Sequence, residues 1–233
     1  MEYARLGKSG LKVSKVILGC MSYGSSEWQD WVLNEDAALP LLKHAFDVGL
    51  NTWDTADIYS HGRSEQIIGK ALKEYNIPRS KVVILSKCYF GVNLEGKQLP
   101  VSKSNYNDKE LVNLAGLSRK HIFDAVDRSV ANLGTYIDVL QIHRLDRETP
   151  REEIMRALND VVESGKVRYI GASSVSTVLV KVTTRHSRMI DGRVGVPGTP
   201  KYCREWLAQI YLDAELLQSA LQRRRYVRFF ISK

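Results

Sequence analysis

The sequence predicts an α/β fold built on a parallel β-sheet, and two observations lead to this prediction. Between residues 16 and 172, short β-branched segments alternate with longer segments whose apolar residues repeat with a helical period, as in consecutive βαβ units. The chain has 233 residues, of which 44% are hydrophobic and 26% charged, enough to enclose a sizeable core. Wholly disordered chains and small disulfide scaffolds are therefore excluded as classes.

Five strands and four helices are predicted along this alternation. The strands are the short apolar segments 16–19, 51–54, 82–86, 137–142 and 167–172. The helices are the periodic segments 36–48, 64–75, 118–133 and 149–165, and a hairpin of residues 3–6 and 11–13 precedes the first strand. Residues that favour helix ends mark the boundaries, with Ser64, Ser118 and Thr149 at the beginnings and Gly49, Gly134 and Gly165 at the ends.

Two segments depart from the alternation. Residues 88–118 are rich in Gly, Asn, Asp, Ser and Pro, which predicts one long polar connection of the kind that usually carries function or is mobile. From Ser176 onward the βα pattern stops. There, residues 177–182 are a candidate strand and residues 203–222 a candidate helix.

The net charge of +8 is concentrated at the end of the chain. Residues 176–233 contain 11 Lys or Arg and 4 Asp or Glu, a balance of +7, which leaves +1 for the first 175 residues. A basic tail attracts nucleic acid or anionic lipid nonspecifically. Because no recognised binding module accompanies it, we expect a solvated surface and no specific nucleic-acid partner.

Cysteine usage and the amino terminus favour a cytoplasmic protein. Cys20, Cys88 and Cys203 form neither an even framework nor a CxxC pair, so a disulfide scaffold is not indicated. The histidines are not paired at metal-ligand spacing, and no metal is expected. No leader pattern is visible and no apolar segment reaches the roughly 18 residues of a membrane span, so we expect no membrane association.

Polar side chains follow four of the five predicted strands. Because the carboxyl ends of parallel strands meet at one edge of a sheet, where ligands bind in such folds, these side chains are expected to share one site. Tyr59, on the loop after the second strand, is expected to place its phenol over the same edge. The candidate residues are Asp54, Lys87, His143, Ser173, Ser174 and Tyr59.

Each candidate also has a purely structural interpretation. Asp54 and Lys87 can form a structural salt bridge, and His143 or Tyr59 alone is compatible with packing. Taken together, the four residues favour a catalytic site over a structural role. Lys87, held charged by Asp54, is expected to lower the pKa of Tyr59 toward neutrality. Tyr59 then becomes a proton donor, with His143 bonding the same substrate oxygen.

Four separated motifs make the chain recognisable. Residues 54–59 (DTADIY), 85–87 (LSK), 141–144 (QIHR) and 165–174 (GKVRYIGASS) resemble those of the aldo-keto reductase family, and the fungal aryl-alcohol-dehydrogenase-like branch in particular. The resemblance implies a (β/α)8 TIM barrel, NADP(H) and reduction of aldehydes or ketones to alcohols. It implies catalytic roles for Asp54, Tyr59, Lys87 and His143, and cofactor binding by Gly19, Met21, Ser22, Asp54, Ser173 and Ser174.

The resemblance covers about residues 1–175, which we predict to be a partial reductase domain of about five βα units. The family's last three strands are absent, and with them the aromatic residue that stacks on the nicotinamide and the loop that binds the 2′-phosphate. Residues 176–233 form a basic, divergent tail. A frameshifted or misspliced end is favoured for this tail, and a divergent C-terminal domain is the alternative.

Two functions are left open by the sequence. The first is an NADP(H)-dependent oxidoreductase that interconverts aldehydes or ketones with alcohols, its activity lost if the tail does not rebuild the cofactor site. The second is a non-catalytic truncated variant, or a binding or regulatory protein. In the first case Tyr23, Trp28 and Tyr89, which follow strand ends, line an apolar substrate pocket or pack in the core. The oligomeric state is not predicted.

Overall fold

A six-stranded parallel sheet and a separate two-stranded hairpin organise the chain. The computed structural model describes residues 1–7, 9–92 and 112–173 and the backbone of residues 207–209. Strands lie in the sheet in the order in which they occur in the sequence, and all neighbours are parallel. This is the arrangement of consecutive units of a (β/α)8 barrel.

The strands confirm the predicted hairpin and all five predicted sheet strands. The hairpin consists of β1 (Tyr3–Arg5) and β2 (Lys12–Ser14). The sheet consists of β3 (Leu18–Gly19), β4 (Thr52–Asp54), β5 (Val83–Cys88), β6 (Ile137–Ile142), β7 (Val167–Ala172) and β8 (Leu207–Gln209). Strand β5 extends two residues further than predicted, so Lys87 lies within the strand.

Four α-helices follow the strands, as predicted. They are α1 (Glu35–Asp47), α2 (Arg63–Glu74), α3 (Arg119–Leu133) and α4 (Arg151–Glu163). A short 3₁₀ turn occupies Arg79–Lys81, and Tyr59–Gly62 forms a turn whose backbone is left-handed at Ser60 and His61. Within the described residues, no helix is long and apolar enough to cross a membrane.

One of the three predicted helix caps is confirmed. Ser118 accepts from the His121 amide at 3.2 Å at the start of α3. The prediction for Ser64 is wrong, because α2 begins earlier and the Ser64 hydroxyl bonds the Cys20 carbonyl at 2.8 Å. The prediction for Thr149 is also wrong. Its hydroxyl donates to Asp146 Oδ2 at 2.7 Å, while Pro150 occupies the cap position.

The two faces of the sheet are buried differently. One face packs against the helices in the larger apolar cluster, which includes Ile84 and Leu140. Residues of the opposite face, such as Leu85 and Val139, form a smaller cluster with Leu6 and Val13 of the hairpin segment. Because side chains alternate along a strand, residues two positions after Leu85 and Val139 share this second face at the carboxyl edge.

The tail contributes a strand where a helix is predicted. Leu207–Gln209 pairs in parallel with β7, with Leu207 opposite Ile170 and Gln209 opposite Ala172. The helix prediction for 203–222 is therefore wrong at these three residues. The open edge of β7 offers unpaired backbone groups, and pairing with them outweighs a helical apolar spacing. The candidate strand 177–182, most of the loop 88–118 and Cys203 lie outside the described residues.

Candidate active site

Asp54 and Lys87 form a buried ion pair at the carboxyl edge of the sheet. Lys87 Nζ donates to Asp54 Oδ2 at 2.6 Å, and the two residues are 1% and 7% exposed. The register of the ladder explains the contact. Asp54 lies opposite Leu85, and the alternation of side chains puts Lys87 on the same face as Leu85.

The loop after β4 continues along β5 and delivers Tyr59 to this pair. The Thr55 amide donates to the Leu85 carbonyl at 2.8 Å, and the Asp57 amide donates to the Lys87 carbonyl at 3.1 Å. Lys87 Nζ then lies 3.3 Å from the Tyr59 hydroxyl. Three of the predicted site residues are therefore brought into one hydrogen-bonded group.

Gln141 is a member of the site that the sequence analysis did not select. Its Nε2 donates to Asp54 Oδ1 at 3.0 Å, so both carboxylate oxygens of Asp54 are engaged. Gln141 lies opposite Lys87 in the β5–β6 ladder. The spacing in the sequence could have indicated Gln141. It lies two residues before His143, and residues two positions apart along a strand point to the same side of the sheet.

Lys87 is positively charged in this site. Burial disfavours its ammonium group, but the charge of Asp54 and the hydrogen bonds to Asp54 and Tyr59 outweigh burial and raise the pKa of Lys87 above its ordinary value. Lys87 also donates to the Thr55 carbonyl at 2.9 Å, so its charge is held by three oxygen atoms. A charge that is paired and fully hydrogen-bonded is the kind that proteins retain in their interior.

The expectation that the pKa of Tyr59 falls toward neutrality is wrong for this structure. Burial of the phenol raises its pKa above the ordinary value, and the Lys87 ammonium acts in the opposite direction without overcoming burial. Tyr59 is therefore a neutral phenol at physiological pH. It holds a proton next to a fixed positive charge.

His143 lies beside Tyr59 as a neutral imidazole. The two rings are 5.9 Å apart at an interplanar angle of 83°, and the His143 amide donates to the Cys88 carbonyl at 3.0 Å. Burial, together with the charges of Lys87 and Arg144, lowers the pKa of His143 to about 2. Within the described part of the chain, its buried Nδ1 has no hydrogen-bond partner.

A row of aromatic rings crosses the site on both sides of Tyr59. On one side Trp28 lies 6.3 Å from Tyr59, and Trp31 lies 6.3 Å from Trp28. On the other side Phe90 lies 5.0 Å from His143 and, beyond it, Tyr89 lies 5.1 Å from Phe90. Trp28 therefore contacts the site, whereas Tyr89 packs against the main apolar core and touches Phe90. Tyr23 is 5% exposed and belongs to the main apolar core.

The predicted cofactor-binding residues lie at the same edge of the sheet. Gly19 pairs with Asp54 at the end of β3, and Met21 and Ser22 are half-buried in the loop that follows. Ser173 follows β7, where its amide donates to the Ile142 carbonyl at 2.9 Å. Ser174 lies outside the described residues.

No cluster of three potential metal ligands occurs among the residues that the structure describes. The side chains that converge on this edge are instead an acid, an amine, a phenol and an imidazole. With one proton held next to a buried positive charge, the group can deliver a proton to an oxygen atom and stabilise the anion left behind.

Comparison with known proteins shows the family to which this chain belongs. The family model described as Aldo/keto reductase family matches residues 15–189. The chain belongs to the aldo/keto reductase family. The four motifs selected in the sequence lie within the match, which extends about 14 residues beyond the predicted limit at residue 175. Aldo/keto reductases are (β/α)8 barrels, in agreement with the parallel strand order.

Several fungal proteins are similar to this chain. The chain is 72% identical over 177 residues to versiconal hemiacetal acetate reductase of Aspergillus parasiticus. The aligned region covers 76% of this chain and 52% of the relative. It is 58% identical over 180 residues to a putative aryl-alcohol dehydrogenase of Schizosaccharomyces pombe, covering 74% and 51%. A putative aryl-alcohol dehydrogenase of Saccharomyces cerevisiae is 54% identical over 178 residues, covering 75% and 52%. The chain spans about half the length of the curated relatives it matches.

Proposed function

We propose that this chain carries the catalytic site of an NADP(H)-dependent oxidoreductase that interconverts aldehydes or ketones with alcohols. The observation that supports this proposal most strongly is the Tyr59 hydroxyl, held 3.3 Å from the Lys87 ammonium, which is itself paired with Asp54. Relatives named reductases and aryl-alcohol dehydrogenases support the same chemistry.

Tyr59 is proposed as the proton donor in the direction of reduction. When the carbonyl oxygen takes the Tyr59 proton, the phenol becomes a phenolate, and negative charge develops next to Lys87. Interaction between that charge and the buried ammonium is stronger than in water, because the site has a low dielectric constant. Asp54 fixes the ammonium in place and so acts through Lys87 without touching the substrate.

His143 is proposed to orient the carbonyl oxygen. A neutral imidazole has one N–H group, which donates a hydrogen bond, and it does not compete with Tyr59 as an acid. Because the pKa of His143 is lowered to about 2, this state holds throughout the physiological pH range. The edge-to-face packing of the two rings, 5.9 Å apart, supports the proposal that both groups bond one substrate oxygen atom.

The residues present fit a nicotinamide cofactor at this edge. Gln141 Oε1 and His143 Nδ1 are buried and bond no other atom of the described residues, so polar capacity remains at the end of β6. Gly19, Met21 and Ser22 would lie under the cofactor, with Ser173 and Ser174 at its carboxamide. The nicotinamide, when bound, supplies or accepts the hydride.

An aromatic substrate suits the row of rings around Tyr59. Trp28 on one side and Phe90 on the other contact the rings of the two proposed catalytic residues. Aromatic rings pack favourably in tilted and edge-to-face arrangements at such distances. We therefore propose an aryl aldehyde or aryl ketone, or the corresponding alcohol, as the preferred substrate class.

A completed version of the chain tests the proposal. The family-matched part of this chain would be joined to the C-terminal half of the Aspergillus parasiticus relative, and NADPH oxidation would be followed with an aryl aldehyde. Changing Tyr59→Phe in that protein is expected to lower kcat by about 10² to 10⁴ because the proton donor is lost. NADPH affinity should change little.

Tyr3→Phe provides the matched control for this substitution. Tyr3 donates its hydroxyl to the Gly49 carbonyl at 2.9 Å in an exposed hairpin far along the chain from the site. Tyr3→Phe removes one phenol oxygen that takes no part in the proposed reaction, so turnover should be retained. Equal turnover in the Tyr59→Phe protein and its parent would contradict the assignment of Tyr59 as the acid.

A further inference from the structure

A left-handed turn follows Tyr59 directly. Ser60 and His61 have φ angles of 48° and 51°, and Gly62 has a φ of 91° before α2 begins. Side-chain-bearing residues rarely adopt this conformation, and two of them in succession require the surrounding structure to hold them there. The turn is thus a constrained segment next to the proposed proton donor.

Ser60 is held from the other side of the site by the loop between β3 and α1. Its hydroxyl accepts from the Ser25 amide at 3.1 Å, and Ser60 is 6% exposed. Gly24 allows this approach, because a Cβ atom at position 24 would lie 2.5 Å from Ser60 Cβ and would overlap the hydroxyl. The contact is therefore close-packed as well as hydrogen-bonded.

The same β3–α1 loop carries the aromatic residue that contacts Tyr59. The Trp28 amide donates to the Ser25 carbonyl at 3.0 Å, so Ser25 bonds Ser60 through its amide and Trp28 through its carbonyl. Trp28 in turn packs against the Tyr59 ring at 6.3 Å. Ser60, Ser25, Trp28 and Tyr59 thus form a closed ring of contacts between two loops.

We propose that Ser60 is a positioning residue that locks the loop bearing Trp28 to the turn bearing Tyr59. Its hydroxyl sets the distance between the proton donor and the aromatic wall against which a substrate ring would pack. The significance of this distance for catalysis rests on the proposed function. The coupling itself is a property of these four residues and needs neither cofactor nor substrate.

Fluorine NMR of the 233-residue chain tests the coupling. The protein contains four tryptophans, Trp28, Trp31, Trp53 and Trp206, so labelling with 5-fluorotryptophan is expected to give four signals, and Trp28→Phe identifies one. Because the Trp28 ring lies next to the Tyr59 ring, its signal senses their relative position. Trp53 is fully buried and donates to the Leu50 carbonyl at 3.0 Å, and it reports the integrity of the fold.

Three variants approach the contact in different ways. Ser60→Ala removes the acceptor, Gly24→Ala pushes Ser60 away, and Ser60→Gly removes the acceptor while relieving the backbone, since glycine adopts a positive φ freely. All three are expected to shift the Trp28 signal by more than its linewidth and to leave Trp53 unchanged. Ser164→Ala, which removes a hydroxyl bonded to the Val161 carbonyl at the end of α4, should leave Trp28 unchanged.

Two results would overturn the inference. A Trp28 signal at its original position in Ser60→Gly would show that Ser60 matters only for its backbone conformation. A Trp28 signal at its original position in Ser60→Ala would show that the hydroxyl does not hold the loop that carries Trp28. The NMR signals do not depend on turnover. Either result would therefore leave the proposed role of Tyr59 as proton donor untouched. Conversely, a finding that Tyr59 is not the proton donor would leave the coupling untouched.

Discussion

At the scale of single residues, burial and one ion pair together determine which groups at the site carry charge. Lys87 is charged because the Asp54 carboxylate and the hydrogen bonds to Asp54 and Tyr59 outweigh burial, whereas Tyr59 and His143 remain neutral because burial prevails. One fixed cation next to a protonated phenol and a neutral imidazole is the charge pattern that the proposed proton transfer from Tyr59 to a substrate oxygen requires.

His143 is expected to remain neutral from pH 5 to pH 8. Its pKa is lowered to about 2 by burial and by the Lys87 charge, so lowering the pH through 6.5 should not protonate it in the folded protein. The ring C–H signals of His143, assigned by comparison with His143→Gln, should show no pH-dependent shift in this range. A titration midpoint between pH 5 and pH 8 would contradict the neutral state and its proposed role.

Sequence reasoning identifies the site residues but not their ionisation. The ends of parallel strands predict that Asp54, Lys87 and His143 share an edge, and the register of the ladders explains why. The pKa of Tyr59 depends on how tightly its ring is enclosed by the neighbouring loops, which lie far apart in the sequence. Spacing along the chain carries no information about that enclosure.

At the scale of elements, the packing of α2 against α3 depends on one glycine. Gly69 lies in the middle of α2, where a Cβ atom would be 2.5 Å from the Leu133 carbonyl oxygen and 2.9 Å from the Asn132 carbonyl oxygen. These are backbone atoms at the end of α3, which cannot move away as the end of a flexible side chain can. The close approach of the two helices thus requires the absence of a side chain at position 69.

Gly69→Ala is expected to destabilise the protein. In an isolated helix, replacing Gly by Ala stabilises the helix by up to about 1 kcal/mol. In this protein the added Cβ atom overlaps the α3 backbone, so we expect the free energy of unfolding to fall by about 1 to 3 kcal/mol. Chemical denaturation of the two proteins measures the difference. Gly10→Ala is the control, because no heavy atom lies within 4 Å of the added Cβ. Its free energy of unfolding should stay within about 0.5 kcal/mol of the parent, and a stabilised Gly69→Ala protein would refute the steric argument.

Elements are predicted well where local patterns decide them and less well where tertiary contacts compete. The strand β6 and the Ser118 cap follow from apolar runs and capping chemistry alone. Ser64 and Thr149 have the same local chemistry, yet their hydroxyls bond Cys20 and Asp146 instead. Such competition depends on which groups the fold brings near, and the local sequence does not specify them.

At the scale of the whole molecule, we propose that the tail determines how much of the cofactor site is present. The reductase part was predicted to end near residue 175, whereas the family match extends to residue 189. We propose that the basic residues beyond the match replace, with a different sequence, the segments that complete the site in the family. The structure describes three residues of that tail, which add β8 beside β7. The four motifs lie within residues 1–175, whereas the apolar spacing around β8 predicted a helix over 203–222 and gave no sign of a strand.

The 233-residue chain is expected to bind NADPH weakly and to have little or no reductase activity. Each lost hydrogen bond to a charged phosphate is worth about 1.5 to 3 kcal/mol, and the loss of three would weaken binding by roughly three to six powers of ten. NADPH should therefore leave Trp28 and Trp53 fluorescence unchanged at micromolar concentrations.

Turnover by the purified chain provides the second measurement. We expect a rate of NADPH oxidation with an aryl aldehyde far below one per second. A rate near one per second, or micromolar quenching of tryptophan fluorescence, would mean that the tail rebuilds the cofactor site. The completed version of the chain serves as the positive control.

The strand order has a consequence for how the molecule is assembled during synthesis. Each strand from β4 to β7 pairs with the strand that precedes it in the chain, so every new βα unit can dock as soon as it has emerged. The Asp54–Lys87 pair joins residues only 33 positions apart, both of them at or before the end of β5. Contacts of short sequence separation form early and quickly. We therefore expect the two charges to meet in a nascent chain before the later strands exist, with Gln141 of β6 and His143 directly after it added to a pair already in place.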